Sequence, residues 1–244
     1  MRPVRRGPSP VTKDFDDYTK ALPDLIARIG RYCSYCERPI LTQLAVEHIQ
    51  PKSLPKYEHL RGRWENFLLG CVNCNSTKKD KDVQFSAMLL PDRDNTFAAF
   101  TYRSDGSIVP AAGLADPVQQ QARDTLALTG LDKRPANVLD ENGKRVAIDR
   151  ISQRMEVWAK AEEARADVLA NPANEAVRKM VVRLALAEGF FSIWMKVFEG
   201  EPAMRNRLID AFASSRASGC FDAVTGASIS PAPNPDALPD GGKI

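Results

Sequence analysis

The chain has 244 residues, 43% of them apolar, with 34 Lys and Arg against 31 Asp and Glu for a formal net charge of +3. That apolar content is enough to build a core and excludes a chain disordered throughout. The charge is too mild to require a polyanionic partner and only permits one. The length suits one large domain, or a small one joined to a larger one. The longest apolar stretches, such as "GFFSIWMKVF", are too short and too interrupted to span a bilayer. The start carries charge with no apolar stretch behind it, so the expectation is a cytoplasmic protein.

In chain order, residues 1–13 are rich in Pro, Gly, Ser and Arg and read as an extended or flexible arm. Residues 14–31 read as a helical stretch interrupted at Pro23, with Leu22, Leu25, Ile26 and Ile29 on one stripe and Gly30 at its end. "ILTQLAVEHI", residues 40–49, reads as a short hairpin that Pro51 stops. A long polar loop with two prolines follows, and "WENFLLG" returns the chain to a cysteine pair. A helix is expected from that pair onward through "NSTKKDKDVQFSAMLL". The "SDG" turn predicts a β-hairpin over 96–103 and 107–110, and "PDRDNT" reads as the turn that opens it. Helices are expected over 116–129, 147–170, 173–188 and 201–214. Their core stripes are Ile151, Met155 and Trp158, then Val177, Met180, Val181 and Leu184, then Phe190, Ile193, Trp194 and Val197. Residues 227–244 read as a flexible tail.

Two C-x-x-C pairs, Cys33/Cys36 and Cys71/Cys74, bracket residues 37–70. In a reducing compartment such pairs are a metal site, not a disulfide framework. Zn²⁺ takes four tetrahedral thiolates, and each C-x-x-C turn places two sulfurs on one side of the ion. The fifth cysteine, Cys220, stands alone and reads as a small buried hydrophobe.

Between and beside the pairs lie Glu47-His48-Ile-x-Pro, Trp64-x-Asn66-Phe and Cys-x-x-Cys-Asn75-x-x-Lys78. This ordered set, over roughly residues 31–80, resembles the HNH endonucleases, which have a ββα-metal fold often stapled by zinc. The resemblance implies hydrolysis of phosphodiester bonds, with DNA as the expected substrate. It makes His48 the general base, Glu47 and Asn75 ligands of a catalytic Mg²⁺ or Mn²⁺, and Asn66 the residue that pins the loop. It makes Lys78 a mobile charge for phosphate. The chemistry suits these types: an imidazole takes a proton near neutral pH, with an ordinary pKa of about 6.5, and a hard cation wants oxygen ligands. Two positions depart from the plainest family pattern, Glu47 for an Asp and Asn75 for a His, which puts the metal's identity more in question than the activity. Lys52, Arg61, Arg63, Lys79 and Lys81 could line a phosphate track or a solvated basic face. His59 has no such company and reads as a surface residue, and Trp64 as packing beneath the loop.

The expected class is therefore α+β: an N-terminal ββα-metal HNH core with a structural four-cysteine zinc site, then a small β-hairpin and a mainly helical C-terminal region. The expected division is an arm and helix (1–30), the nuclease core (31–90), the hairpin and helical region (91–226) and the tail (227–244). The overall pattern is also similar to the HNH subunits of Septu-type and retron-associated anti-phage systems. That similarity implies a bacterial defence role and an ABC/SMC-like ATPase partner. The competing readings are a zinc-stapled nucleic-acid binder that does not cut, and an adaptor with an inactive core. A binder has no use for Glu47, since an acid beside phosphate repels it, and an adaptor has none for His48.

Overall fold

The computed structural model describes residues 1–133 and 150–244. The chain folds as α+β, with two small antiparallel strand pairs and eight α-helices among the described residues. No helix among them is long and apolar enough to cross a membrane.

Helix α1 runs Leu22–Ile29 and follows a 3-10 turn over Tyr18–Ala21. Pro23 does not interrupt it. Proline sits in the first turn, where its missing N–H has no partner to lose. Leu25 and Ile29 enter the core, and Gly30 ends the helix with a positive φ.

Strand β1, Ala45–His48, pairs with β2, Phe67–Gly70, in the register Ala45↔Gly70 to His48↔Phe67. The hairpin expected within 40–49 is thus a correction: β1 finds its partner across the 49–66 loop. Leu41, Thr42 and Gln43 are exposed, whereas Phe67, Leu68 and Leu69 are fully buried, so only the later segment offers β1 a hydrophobic partner. Helix α2, Val72–Lys78, follows at once and completes a ββα unit. It is shorter than expected. Lys79 takes a positive φ at its end, and the chain then turns to bury Val83, Leu89 and Leu90.

A short helical turn, α3 (Thr96–Ala99), precedes the hairpin of β3 (Phe100–Tyr102) and β4 (Ile108–Pro110), which is shorter than expected because Asn95 caps α3 over the first positions. Helix α4 spans Asp116–Thr129. Helix α5 spans Arg150–Ala170, and residues 147–149 of the expected helix lie outside the described residues. Helices α6 (Glu175–Glu188), α7 (Phe191–Val197) and α8 (Pro202–Ala211) follow. Gly189 separates α6 from α7 at φ 72°, and a Cβ there would lie 2.7 Å from the Glu37 carbonyl oxygen. The glycine therefore lets the helical region close against the first cysteine turn.

Two expected stripes are corrected. Ile151 and Val181 are buried as expected, but Met155, Met180 and Leu184 face outward, and α5 and α6 bury Val157, Ala161, Ala164, Val168 and Ala185 in their place. Small alanines let the two helices approach closely, which a search for large apolar residues misses. The third stripe does enter the core: Phe190, Ile193 and Trp194 are buried.

The two ends of the chain are also corrected. Met1, Arg2, Val4 and Arg6 are buried, and the α-ammonium of Met1 lies 3.2 Å from Glu37. Arg2 donates to the Ile29 carbonyl, and Arg6 donates to the Phe67 carbonyl and pairs with Asp92. Arg2 and Arg6 thus serve the interior, while Arg5 pairs with Asp236 nearer the surface. Residues 227–244 dock as well: Ile244 is buried, and its carbonyl accepts from Asn95 and Ala232. "PDRDNT" is the hub that receives both ends. It is a turn, but one whose Asp94, Asn95 and Thr96 are almost wholly buried and spend their polar atoms on the chain termini. One continuous hydrophobic cluster runs from Met1 to Ile244.

Candidate active site

The four cysteines meet. Their sulfurs all lie within 4.8 Å of one another and are buried, with Cys36 Sγ 3.7 Å from Cys71 Sγ. A tetrahedral zinc with bonds of about 2.3 Å sets its sulfurs about 3.8 Å apart, so the cage has the size for this ion. Hydrogen bonding among the thiols, Cys33 first, pushes Cys36 and Cys74 up, with burial adding to it, and pulls Cys71 down against burial. An all-cysteine donor set of this size fits Zn²⁺.

The cage is tied into the fold on both sides. Ser34 donates its amide to the Leu69 carbonyl, and Leu69 donates back to the Ser34 hydroxyl, which joins the first cysteine turn to β2. Cys71 caps α2, accepting the Cys74 amide on its sulfur. Arg150 donates to Cys74 Sγ and to the Thr129 and Gly130 carbonyls. Glu37, inside the first turn, accepts from Ser192 and Tyr102. The cage therefore fixes β2 and α2 relative to the helical region.

Beside it opens a cleft of about 540 Å³ lined by Glu47, His48, Asn75 and Lys78, with Tyr18, Lys52, Arg61 and Lys79 around the rim. His48 ends β1 and is mostly buried. Its Nε2 lies 2.9 Å from the Arg61 carbonyl oxygen. A carbonyl only accepts, so Nε2 carries the proton and donates, which leaves the lone pair on Nδ1. Burial pulls the imidazole down to about 4, against the hydrogen bond to Arg61. The ring is therefore a free base at neutral pH.

Asn66 holds the loop that carries this carbonyl. Its Oδ1 accepts from the Gln50 amide, and its Nδ2 donates to the carbonyls of Gln50 and Leu60. The side chain thus closes 50–66 into a ring and sets Leu60 next to Arg61. It reaches His48 through the loop and not by direct hydrogen bond.

Glu47 neighbours His48 in sequence and is 2% exposed. Burial pushes its carboxyl up, and Lys78 pulls it back only in part. Lys78 Nζ lies 2.8 Å from Glu47 Oε1, yet the contact is not an aligned hydrogen bond, whereas the same ammonium donates squarely to the His48 carbonyl. This corrects the role expected of Lys78. A residue 1% exposed is no mobile charge for phosphate. It is a fixed counter-ion for Glu47 and a strut under the end of β1. Gly70 matters here too, since a Cβ at that position would sit 3.1 Å from the Glu47 Cβ.

Asn75, in contrast, is exposed on α2 and faces the same cleft. Glu47 and Asn75 offer two hard oxygens at one cleft, and Glu47 Oε1 is a buried oxygen that lacks an aligned donor. That set fits a divalent cation of the Mg²⁺ kind.

Of the basic residues considered for a phosphate track, Lys52, Arg61 and Lys79 line the cleft. Arg63 pairs with Asp14, and Lys81 reaches the last carbonyls of α4, so neither belongs to it. His59 is exposed, Trp64 is buried under Arg28, and Cys220 is buried with its thiol pushed up to about 11 by burial. Tyr18 is the residue that sequence reasoning missed. Its ring lies edge-on to His48 at 4.8 Å between centroids, across about thirty residues of chain.

Residues 33–81 match the HNH endonuclease family model. This segment is similar to the HNH endonucleases. The matched span takes in both cysteine pairs, Glu47, His48, Asn66, Asn75 and Lys78, and leaves Tyr18 outside. No curated protein matches the chain. The match supports a nuclease acting on nucleic acid, and within the matched span β1, β2 and α2 form a ββα unit.

Proposed function

We propose that the protein is a metal-dependent endonuclease that hydrolyses phosphodiester bonds in DNA at the Glu47–His48–Asn75 cleft. One observation carries the reading: a neutral histidine with its lone pair fixed on Nδ1 stands in the same cleft as two unlike oxygen donors. A binding module needs no such base.

His48 Nδ1 takes a proton from the attacking water, and the proton stays on the ring, whose charge is stabilised by the donated bond to Arg61. Glu47 and Asn75 would hold the divalent cation, which supplies charge neutralisation at the scissile phosphate and the leaving oxygen. Lys78 keeps Glu47 in place and supports the strand end that aims His48. Asn66 keeps the Arg61 carbonyl where the imidazole needs it. The cysteine cage, with Zn²⁺, holds β2 and α2 so that residues from two elements meet; it takes no part in the chemistry.

The similarity to anti-phage HNH subunits extends the proposal to an effector nuclease acting with an ATPase partner. Its support is the sequence pattern alone. Cleavage of plasmid DNA with Mg²⁺ or Mn²⁺, and of single-stranded DNA and RNA alongside, tests the reading. Cutting by the parent that EDTA stops supports it. No cutting of any of the three, with or without the ATPase partner, would sink it.

A further inference from the structure

We infer that Tyr18 and Lys52 complete the cleft, the Tyr18 ring positioning His48 while its hydroxyl and the Lys52 ammonium receive a phosphate of the bound strand. The inference rests on the nuclease reading and adds to it a part of the chain that the HNH domain does not include.

His48 is held from three directions. Tyr18 meets it edge-on at 4.8 Å and 74°, Phe67 meets it at 5.2 Å and 86°, and Nε2 donates to Arg61. Phe67 and the Arg61 carbonyl come from the strand pair and its loop. Tyr18 comes from the 3-10 turn before α1, in which Asp17 accepts from the Thr19 amide and whose following helix is anchored through Leu25 and Ile29. Without the Tyr18 ring the imidazole keeps its one hydrogen bond but can tilt about it toward the open cleft.

Lys52 sits over the same ring, with Nζ 4.5 Å from the centroid and 3.4 Å from the hydroxyl oxygen. An ammonium only donates, so Lys52 donates to the Tyr18 oxygen and the hydroxyl hydrogen remains free to donate outward. Lys56, Arg63 and Lys78 each have a carboxylate at ion-pair distance, in Asp82, Asp14 and Glu47. Lys52 has none among the described residues. A half-buried ammonium ordered over an aromatic face has already shed part of its hydration. Beside it stands a hydroxyl with a spare hydrogen, and both open on the cleft that holds the base. The ligand this pair suits is a phosphate diester oxygen, next to the one that is cut.

The test uses the full-length protein and two readouts. Steady-state cleavage is measured for the parent, Tyr18→Phe, Tyr18→Ala and Lys52→Met. Duplex binding is measured by fluorescence anisotropy in EDTA over a salt series for the same proteins. Tyr18→Ala should lower kcat about 10–100-fold, as a misplaced base does, and Tyr18→Phe should restore kcat while KM stays raised about tenfold for the lost hydrogen bond to phosphate. Lys52→Met should weaken duplex binding and reduce the slope of log K against log salt by about 0.9. Zinc content and thermal unfolding check that each variant is folded. A kcat for Tyr18→Ala equal to the parent's would overturn the positioning role, and an unchanged salt slope for Lys52→Met would overturn the phosphate contact. A parent that binds duplex but does not cut removes the nuclease reading and the positioning role with it, while the binding series still decides the phosphate contact.

Discussion

Lys78→Met removes the cation from one of the most buried ion pairs in the molecule. The Lys78 and Glu47 side chains are each 2% exposed, and no other ion pair reaches Glu47 among the described residues. Breaking a buried pair by taking one partner costs about 3–5 kcal/mol, because the remaining charge is left without compensation. Glu47 has one escape, which is to take up a proton. Burial already holds its carboxyl above the ordinary 4.5, and loss of Lys78 raises it further. A carboxyl with a folded value above its unfolded one contributes stability at low pH that is lost as pH rises through the folded value. The cost of Lys78→Met should therefore be smallest near pH 4.5 and should grow toward neutrality. Glu47→Gln in the same background should recover most of the loss, since the uncompensated charge is gone. Urea unfolding of the parent, both single variants and the double variant, at pH 5 and pH 7.5 with zinc present, measures all of this. A Lys78→Met penalty that is the same at both values, or larger at the acid one, would refute the reasoning.

Three further outcomes are expected. Cys71→Ser should lose bound zinc and several kcal/mol of stability, about the scale of a lost structural metal; metal analysis and a melt check it, and a variant as stable as the parent would count against the cage. Because burial holds His48 at about 4, the base is unprotonated well below neutrality, so cleavage should stay level from pH 7.5 to about 5.5 and fall only as pH approaches 4. An acid limb centred near 6.5 in the rate profile would contradict that. Asn66→Ala breaks the bonds that close the 50–66 loop and should cost about 2–3 kcal/mol for three lost, partly buried hydrogen bonds. It should also depress kcat through the Arg61 carbonyl, with zinc content unchanged.

Much of the site is legible in the sequence, because metal and proton chemistry restrict which residues can stand where. Two cysteine turns must face one ion, so their spacing shows at once. Glu47, His48, Asn66 and Asn75 lie between those turns or just after them, on or beside one small ββα unit. What depends on burial is less visible. Lys78 ends a short helix among polar residues and reads as solvent-facing, yet α2 turns that position onto the end of β1. Arg2 and Arg6 read as a basic arm, but their guanidinium groups find carbonyls and Asp92 inside the fold. Tyr18 meets His48 through tertiary contact alone, and no local periodicity announces that. The partner of β1 is hidden for a related reason: the nearest apolar residues along the chain look sufficient, and the buried run lies beyond a long loop.

The proposed nuclease stands or falls with His48 as its base. Single-turnover cleavage of plasmid DNA by the parent and by His48→Ala, at equal zinc content and equal DNA affinity, tests it most directly. A positioned general base is worth about 10²–10⁴ in rate. A fall of that size is expected, and a variant that cuts within a few-fold of the parent would show that His48 is not the base.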